Sequence, residues 1–268
     1  MGDRSFIEVA GGEIEFELSR SSGADGGRAP LVFLHEGLGS IDLWRGVPDA
    51  VAALVDDRPV LVYARHGHGA SAPAGSPRPA TYMHREADVV LPALLDQLGL
   101  RRPVLVGHSD GASIALLHAG GGHAVTGLVC LAPHVFVEAE SIAGIEAARD
   151  AFEASPDMAA KMGRYHADPV ATFRGWNDVW LSEEFRAWDI TDRLAAIDAP
   201  ILLVQGTDDQ YGTFAQLDAI ESGVRGPVTQ LRLDGAGHAP HLDARDDVVT
   251  AIARFVDALD GGVTRRTW

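Results

Sequence analysis

The segment Pro103-Val104-Leu105-Val106-Gly107-His108-Ser109-Asp110-Gly111-Ala112-Ser113-Ile114-Ala115 decides the fold class. It opens with a short apolar run rich in valine, the signature of a strand buried on both faces. It closes with small residues that suit a tightly packed helix. Between them stands a G-x-S-x-G pentapeptide centred on Ser109. The pentapeptide is weak by itself, because glycine and serine are common. A strand before it and a helix after it change its weight, since a serine lifted onto a sharp strand-to-helix turn is exposed and held close to free helix N–H groups. The flanking glycines fit, because strand and helix can approach only where a Cβ is missing. Ser109 is therefore the candidate nucleophile.

Working outward, further buried-strand runs occur at Leu31-Val32-Phe33-Leu34, Val60-Leu61-Val62-Tyr63, Leu128-Val129-Cys130-Leu131 and Ile201-Leu202-Leu203-Val204. Amphipathic stretches separate them, notably 83–98 and 245–259. Strands alternating with helices imply a mostly parallel sheet covered on both faces. Residues 5–18 alternate around Gly11-Gly12 and read as an antiparallel hairpin. Residues 67–80, rich in Gly, Ala, Ser and Pro, read as a surface loop. Residues 135–190 hold no buried-strand run but carry helical patterns with Tyr165, Phe173, Trp176, Trp180, Phe185 and Trp188. They read as a helical lid inserted between a first core part, 1–134, and a second, 191–268.

A serine hydroxyl needs a base, usually a histidine held by a carboxylate. In an open parallel sheet, reacting groups gather at the carboxyl ends of strands. His238, in Asp234-Gly235-Ala236-Gly237-His238, follows the last apolar alternation (Val228, Leu231, Leu233), and the glycine before it leaves room for the ring. His241 is the alternative. For the carboxylate, strand 201–205 ends in Gly206-Thr207-Asp208-Asp209. Spacing from Gly206 favours Asp209 and leaves Asp208 as a turn residue. The order Ser, Asp, His is far more specific than the pentapeptide.

Acyl transfer also requires two donors for the developing oxyanion, each worth about 3 kcal/mol of barrier. The backbone N–H of Asp110 supplies one, and the loop His35-Glu36-Gly37-Leu38-Gly39-Ser40 supplies the other. Together with Arg65-His66-Gly67-His68-Gly69-Ala70-Ser71, these segments resemble the α/β-hydrolase fold superfamily along nearly the whole chain, in its branch of capped esterases, thioesterases, lactonases and carbon–carbon bond hydrolases. The resemblance implies an eight-stranded, mostly parallel sheet with a helical lid. It implies a triad of Ser109, Asp209 and His238, an oxyanion hole from the N–H groups of Gly37 and Asp110, and no organic cofactor. The chain departs from the family in one place: Glu36 follows the loop histidine, where glycine is usual. Its carboxylate either ties down the loop or faces the pocket to meet a cationic or hydroxyl-bearing substrate, and a pair with Arg65 is conceivable. Dehalogenase and carboxylate-nucleophile epoxide hydrolase chemistry is disfavoured, because such relatives carry Asp where this chain has Ser109.

Three readings stay open. One is hydrolysis of a small ester, thioester or lactone through an acyl-enzyme. The second is a carbon–carbon hydrolase or lyase on the same triad. The third is a non-catalytic binding member, against which the full triad argues. The lid aromatics suggest a small-molecule substrate with an apolar acyl or aromatic group, and Glu36, His134, Trp176 and Trp180 are the candidate lining residues.

The 268 residues fit one large domain with an insertion. A net charge of −16 repels phosphate backbones, and Arg101-Arg102 and Arg265-Arg266 are too short to offset it, so no nucleic-acid partner is expected. Met1-Gly2-Asp3-Arg4 lacks a signal-peptide layout and no run of about 18 apolar residues occurs, so neither membrane insertion nor export is expected. The single cysteine, Cys130, suits a reducing compartment, and the expected location is cytoplasmic. A homodimer is compatible with these features. The pairs His66/His68 and His238/His241 have no convincing third ligand, so no metal is expected.

Overall fold

In the computed structural model, which describes residues 3–19 and 27–261, eight strands form a single sheet. Met1, Gly2 and the Arg265-Arg266 pair lie outside the described residues. The expected hairpin is present: β1 (Arg4–Val9) and β2 (Gly12–Ser19) pair antiparallel, with Ile7 opposite Ile14. The sheet continues through β3 (Leu31–Leu34), β4 (Val60–Tyr63), β5 (Val104–His108), β6 (Gly127–Leu131), β7 (Ile201–Gly206) and β8 (Val228–Leu233). Its spatial order is β1-β2-β4-β3-β5-β6-β7-β8. The β1–β2 and β2–β4 pairings are antiparallel, and all the others are parallel.

Every residue of β3 to β7 is buried, as continuous apolar runs demand when helices cover both faces. The edge strand β8 is only partly buried. One face packs Val32, Leu34, Leu61 and Leu105 against residues of the 82–98 and 110–120 helical stretches. The other packs Phe33, Val62 and Val106 against Val47, Val51, Ile252 and Val256. Each fully buried Leu or Val contributes about 2 kcal/mol, so β3 to β7 are firmly anchored.

Along the chain the helices are α1 (Val47–Ala52), α2 (Tyr82–Arg85), α3 (Leu91–Leu98), α4 (Asp110–Gly120) and α5 (Ala139–Ala154). Then come α6 (Asp157–Met162), α7 (Pro169–Trp180), α8 (Thr191–Leu194), α9 (Ala215–Gly223), α10 (Pro240–Asp243) and α11 (Arg245–Leu259). The helix expected over 83–98 is not uniform: a π-helical turn, Glu86–Val90, joins α2 to α3. Pro92, in the first turn of α3, cannot donate to the residue four before it, and the wider turn ahead accommodates its ring.

The 67–80 segment departs from a plain surface loop. His68 and Ser71 are buried. Ser71 donates to the Ala64 carbonyl at 2.7 Å and accepts the Glu15 N–H at 2.8 Å, while a His68 ring nitrogen lies 2.9 Å from the Gly37 carbonyl. Turn-forming composition describes the backbone; it does not reveal polar side chains used as internal braces.

Between β6 and β7, residues 135–190 contain α5, α6 and α7, and an isolated bridge between Phe136 and Asp189 closes the excursion. Among the described residues, no helix is long and apolar enough to cross a membrane.

Candidate active site

β5 lies at the centre of the parallel array and delivers Ser109 at its carboxyl end, directly before α4. Ser109 has φ 52° and ψ −117°, a conformation unfavourable for a residue with a Cβ. The surrounding backbone enforces it: Ser109 N–H donates to the Leu131 carbonyl at 2.9 Å. The turn is so tight that a Cβ on Gly111 would run into the Leu34 carbonyl, and one on Gly107 into the Gly111 carbonyl. Neither obstacle is a flexible side chain. Gly111→Ala is therefore expected to cost about 3 kcal/mol of stability, read as a fall in the urea midpoint. A midpoint equal to the parent's would show that the elbow can widen.

β7 and β8 supply the other two groups. His238 Nε2 lies 2.9 Å from Ser109 Oγ, and His238 Nδ1 lies 2.8 Å from Asp209 Oδ1. With the proton on Nδ1, the ring donates to Asp209 and accepts from the serine hydroxyl. The Asp209 side chain is 1% exposed, and burial alone would raise its pKa. Burial is the largest single influence, but the hydrogen bond and charge of His238, the Tyr211 N–H and the charge of His134 together outweigh it and hold the carboxyl below its ordinary range. Tyr211 N–H and Gln205 Nε2 also donate to it, at 2.9 and 3.1 Å. Such a carboxylate stays ionised and fixes the tautomer of the ring. Asp208 is exposed and accepts from Thr207 Oγ1 at 3.1 Å. His241 is buried against Trp44 and His108, and burial pushes its pKa down to about 3. Neither alternative meets the serine.

The Asp110 N–H is the first of α4 and has no intrahelical acceptor. Among the described residues no backbone acceptor takes the Gly37 N–H. The Asp110 carboxylate would oppose an oxyanion if it faced the same way, but it is drawn off. It accepts from Tyr82 Oη at 2.7 Å and pairs with Arg65 at 3.4 Å, all three side chains being buried. Trp180 Nε1 donates to Tyr82 Oη at 3.1 Å, extending this chain of bonds into α7.

A cavity of about 370 Å³ opens over the serine. Glu36, Gly37, Ser109, His134, Trp176, Trp180 and His238 all line it, so the sequence-derived candidates converge, apart from the backbone donor Asp110 and the deeper Asp209. Trp176 lies so close over Gly37 that a Cβ there would overlap its indole. His134 sits 5.7 Å from the His238 ring and 5.3 Å from Trp180. Burial, then the charge of His238, lowers the His134 pKa to about 4, so it is a neutral wall at neutral pH. Sequence reasoning missed Tyr211, whose ring lies 4.7 Å from that of His238, and Ile145 and Ser141 of α5. Tyr211 had a signal, standing two residues after Asp209; Ile145 and Ser141 had none.

Glu36 combines features of both expectations. It lines the cavity, and its carboxyl is tucked against Gly39, where a Cβ would not fit. No carboxylate pair with Arg65 forms; Arg65 Nη2 donates to the Glu36 main-chain carbonyl at 2.8 Å and spends its charge on Asp110. Burial raises the Glu36 pKa to about 7, against a weaker downward pull from its own backbone N–H and from Arg65. Between the ordinary value of 4.5 and about 7, the folded protein keeps a proton that the unfolded chain has released. Stability tied to this group is thus complete at low pH and lost as pH rises through that window. Glu36→Gln is expected to be more stable than the parent by about 2 kcal/mol above pH 7, since part of its surface faces the cavity, with the gain vanishing near pH 4.5. Denaturant melts across pH check this; a gain independent of pH would contradict it.

The sheet, the elbow and the converging serine, histidine and aspartate define the class of protein. A family model for the alpha/beta hydrolase family matches residues 31–251, and the chain belongs to that family of hydrolases. A protein from Pseudomonas savastanoi pv. phaseolicola named as carbamate hydrolase RutD is 29% identical over 257 residues, covering 84% of this chain and 92% of the relative. A non-heme chloroperoxidase from Streptomyces lividans is 28% identical, covering 78% of this chain and 84% of its own length. Among solved structures, the proline iminopeptidase of Mycobacterium smegmatis superimposes with a TM-score of 0.73 at 20% identity, covering 96% of this chain and 99% of that one, a likeness of fold.

Proposed function

We propose that this protein is a serine hydrolase that cleaves a small carboxylic ester, thioester or lactone through an acyl-enzyme on Ser109. The 2.9 Å approach of His238 to Ser109, with Asp209 behind the ring, carries this reading. His238 removes the Ser109 proton as Oγ attacks the carbonyl carbon. The Gly37 and Asp110 N–H groups hold the oxyanion, and His238 then protonates the leaving group. Water, activated by the same histidine, releases the acid. Catalysis of this kind needs no cofactor.

Residues 135–190 act in this reading as the lid. Trp176, Trp180 and Ile145 give the cavity an apolar roof, which favours a short acyl or aromatic group. Its volume of about 370 Å³ sits at the small end of ligand pockets. Carbamates, named for one relative, join the substrate classes to be tried. The expected result with p-nitrophenyl esters is a burst of one equivalent of nitrophenol followed by slower turnover, with kcat/KM greatest for short acyl chains. Turnover of vinylogous diketones without any ester burst would replace this reading with carbon–carbon bond hydrolysis.

A further inference from the structure

We propose a second binding site, outside the catalytic cavity, that takes a small organic carboxylate on the guanidinium of Arg78. The site is a cavity of about 290 Å³ between the 73–79 segment and the helical stretch from Tyr82 to Val90. Three arginines line it, Arg65, Arg78 and Arg85, although the chain as a whole carries a net charge of −16. Such a concentration of cations within an acidic protein is a local reversal of its field.

The three are not equivalent. Arg65 is committed to Asp110, yet its buried Nε has no acceptor. Arg85 donates to the Ala10 carbonyl at 2.7 Å and, among the described residues, has no acidic partner within ion-pair distance. Arg78 makes neither a hydrogen bond nor an ion pair among the described residues. Its one close polar interaction is with the Tyr82 ring, 5.3 Å below the guanidinium. The acid in the wall, Glu86, is engaged by the Tyr63 hydroxyl at 2.8 Å.

Arg78 is partly buried, and burial together with the repulsion of Arg65 lowers its pKa, against a weaker upward pull from Tyr82, Asp110 and Glu86. A cation partly withdrawn from water with no anion in contact is costly, and a ring face replaces only part of what a bound carboxylate supplies. The fork of Arg78 also borders a neighbouring cavity of about 470 Å³, so an anion has a route of approach. Between the arginines the walls are Pro73, Ala74, Pro79, Val90 and the Tyr82 ring. A planar carboxylate matches a guanidinium fork by two parallel hydrogen bonds, and the apolar walls suit a compact hydrocarbon body behind it. Phosphate would bring more charge and no apolar surface.

Titration calorimetry on the full chain with sodium benzoate, with inorganic phosphate as the comparison anion, tests the assignment without relying on any catalytic activity. The expected result is saturable benzoate binding that weakens at least tenfold in Arg78→Met, with phosphate binding at least tenfold weaker than benzoate to the parent. Arg78→Met is also expected to raise the Tm of the unliganded protein, since it removes an unpaired cation. If that variant does not fold, Arg78→Lys, which keeps the charge and loses the fork, is expected to weaken benzoate at least fivefold. No benzoate binding by the parent, or unchanged affinity in the Arg78 variant that folds, would overturn the site. Phosphate binding as tight as benzoate would overturn its assignment to carboxylates.

Discussion

Replacing Ser109 with alanine is expected to lower kcat/KM by about 10⁴-fold or more toward any ester the protein turns over, with a Tm close to the parent's. The two outcomes belong together. Alanine keeps the Cβ that already sits at φ 52°, so the strain of the elbow is unchanged. The backbone bond from residue 109 to the Leu131 carbonyl also remains. What disappears is the hydroxyl 2.9 Å from His238 Nε2, and with it the atom proposed to form the acyl-enzyme. Residual rate would come from the proposed oxyanion donors, the Gly37 and Asp110 N–H groups, acting on attack by water. Steady-state kinetics and a thermal melt on the same preparation read both outcomes.

Asp209→Asn is expected to lower kcat by about 10⁴-fold, and for a different reason. An asparagine amide can present an N–H to His238 Nδ1 where the carboxylate only accepts. Nδ1 then becomes the acceptor and the ring proton moves to Nε2, facing Ser109. The histidine can no longer take the serine proton. The amide oxygen still accepts from Gln205 Nε2, which bonds Asp209 Oδ2 at 3.1 Å in the parent, but the Tyr211 N–H, which shares Oδ1 with His238, loses its acceptor. An activity within tenfold of the parent would show that Asp208 or another carboxylate can orient the ring.

Much of this site was legible because it is local. The run Val104 to Val106, the elbow glycines and the small residues after Ser109 specify strand, turn and helix within a few positions. Asp209 and His238 were readable from their distance beyond strands β7 and β8, and the parallel order of β5, β7 and β8 brings those strand ends to one edge. The contacts that set electrostatics were not readable in the same way. Tyr82, Arg65 and Asp110 are far apart in the chain, and only their side-chain directions make them a buried trio. Arg65 therefore suggested a partner in Glu36, whereas its charge goes to Asp110. The Glu36 carboxyl could not be oriented either, since its place depends on the missing Cβ of Gly39. Likewise, His68 and Ser71 hid inside a loop whose composition spoke only of turns.

The central claim is that Ser109 is a nucleophile activated by His238. Intact-mass measurement after treating the folded protein with a fluorophosphonate addresses it most directly. One adduct per chain, located on Ser109 by peptide mapping and lost in Ser109→Ala and in His238→Ala, is the result expected here. A folded parent protein that stays unlabelled, or that labels equally when Ser109 is alanine, would contradict it.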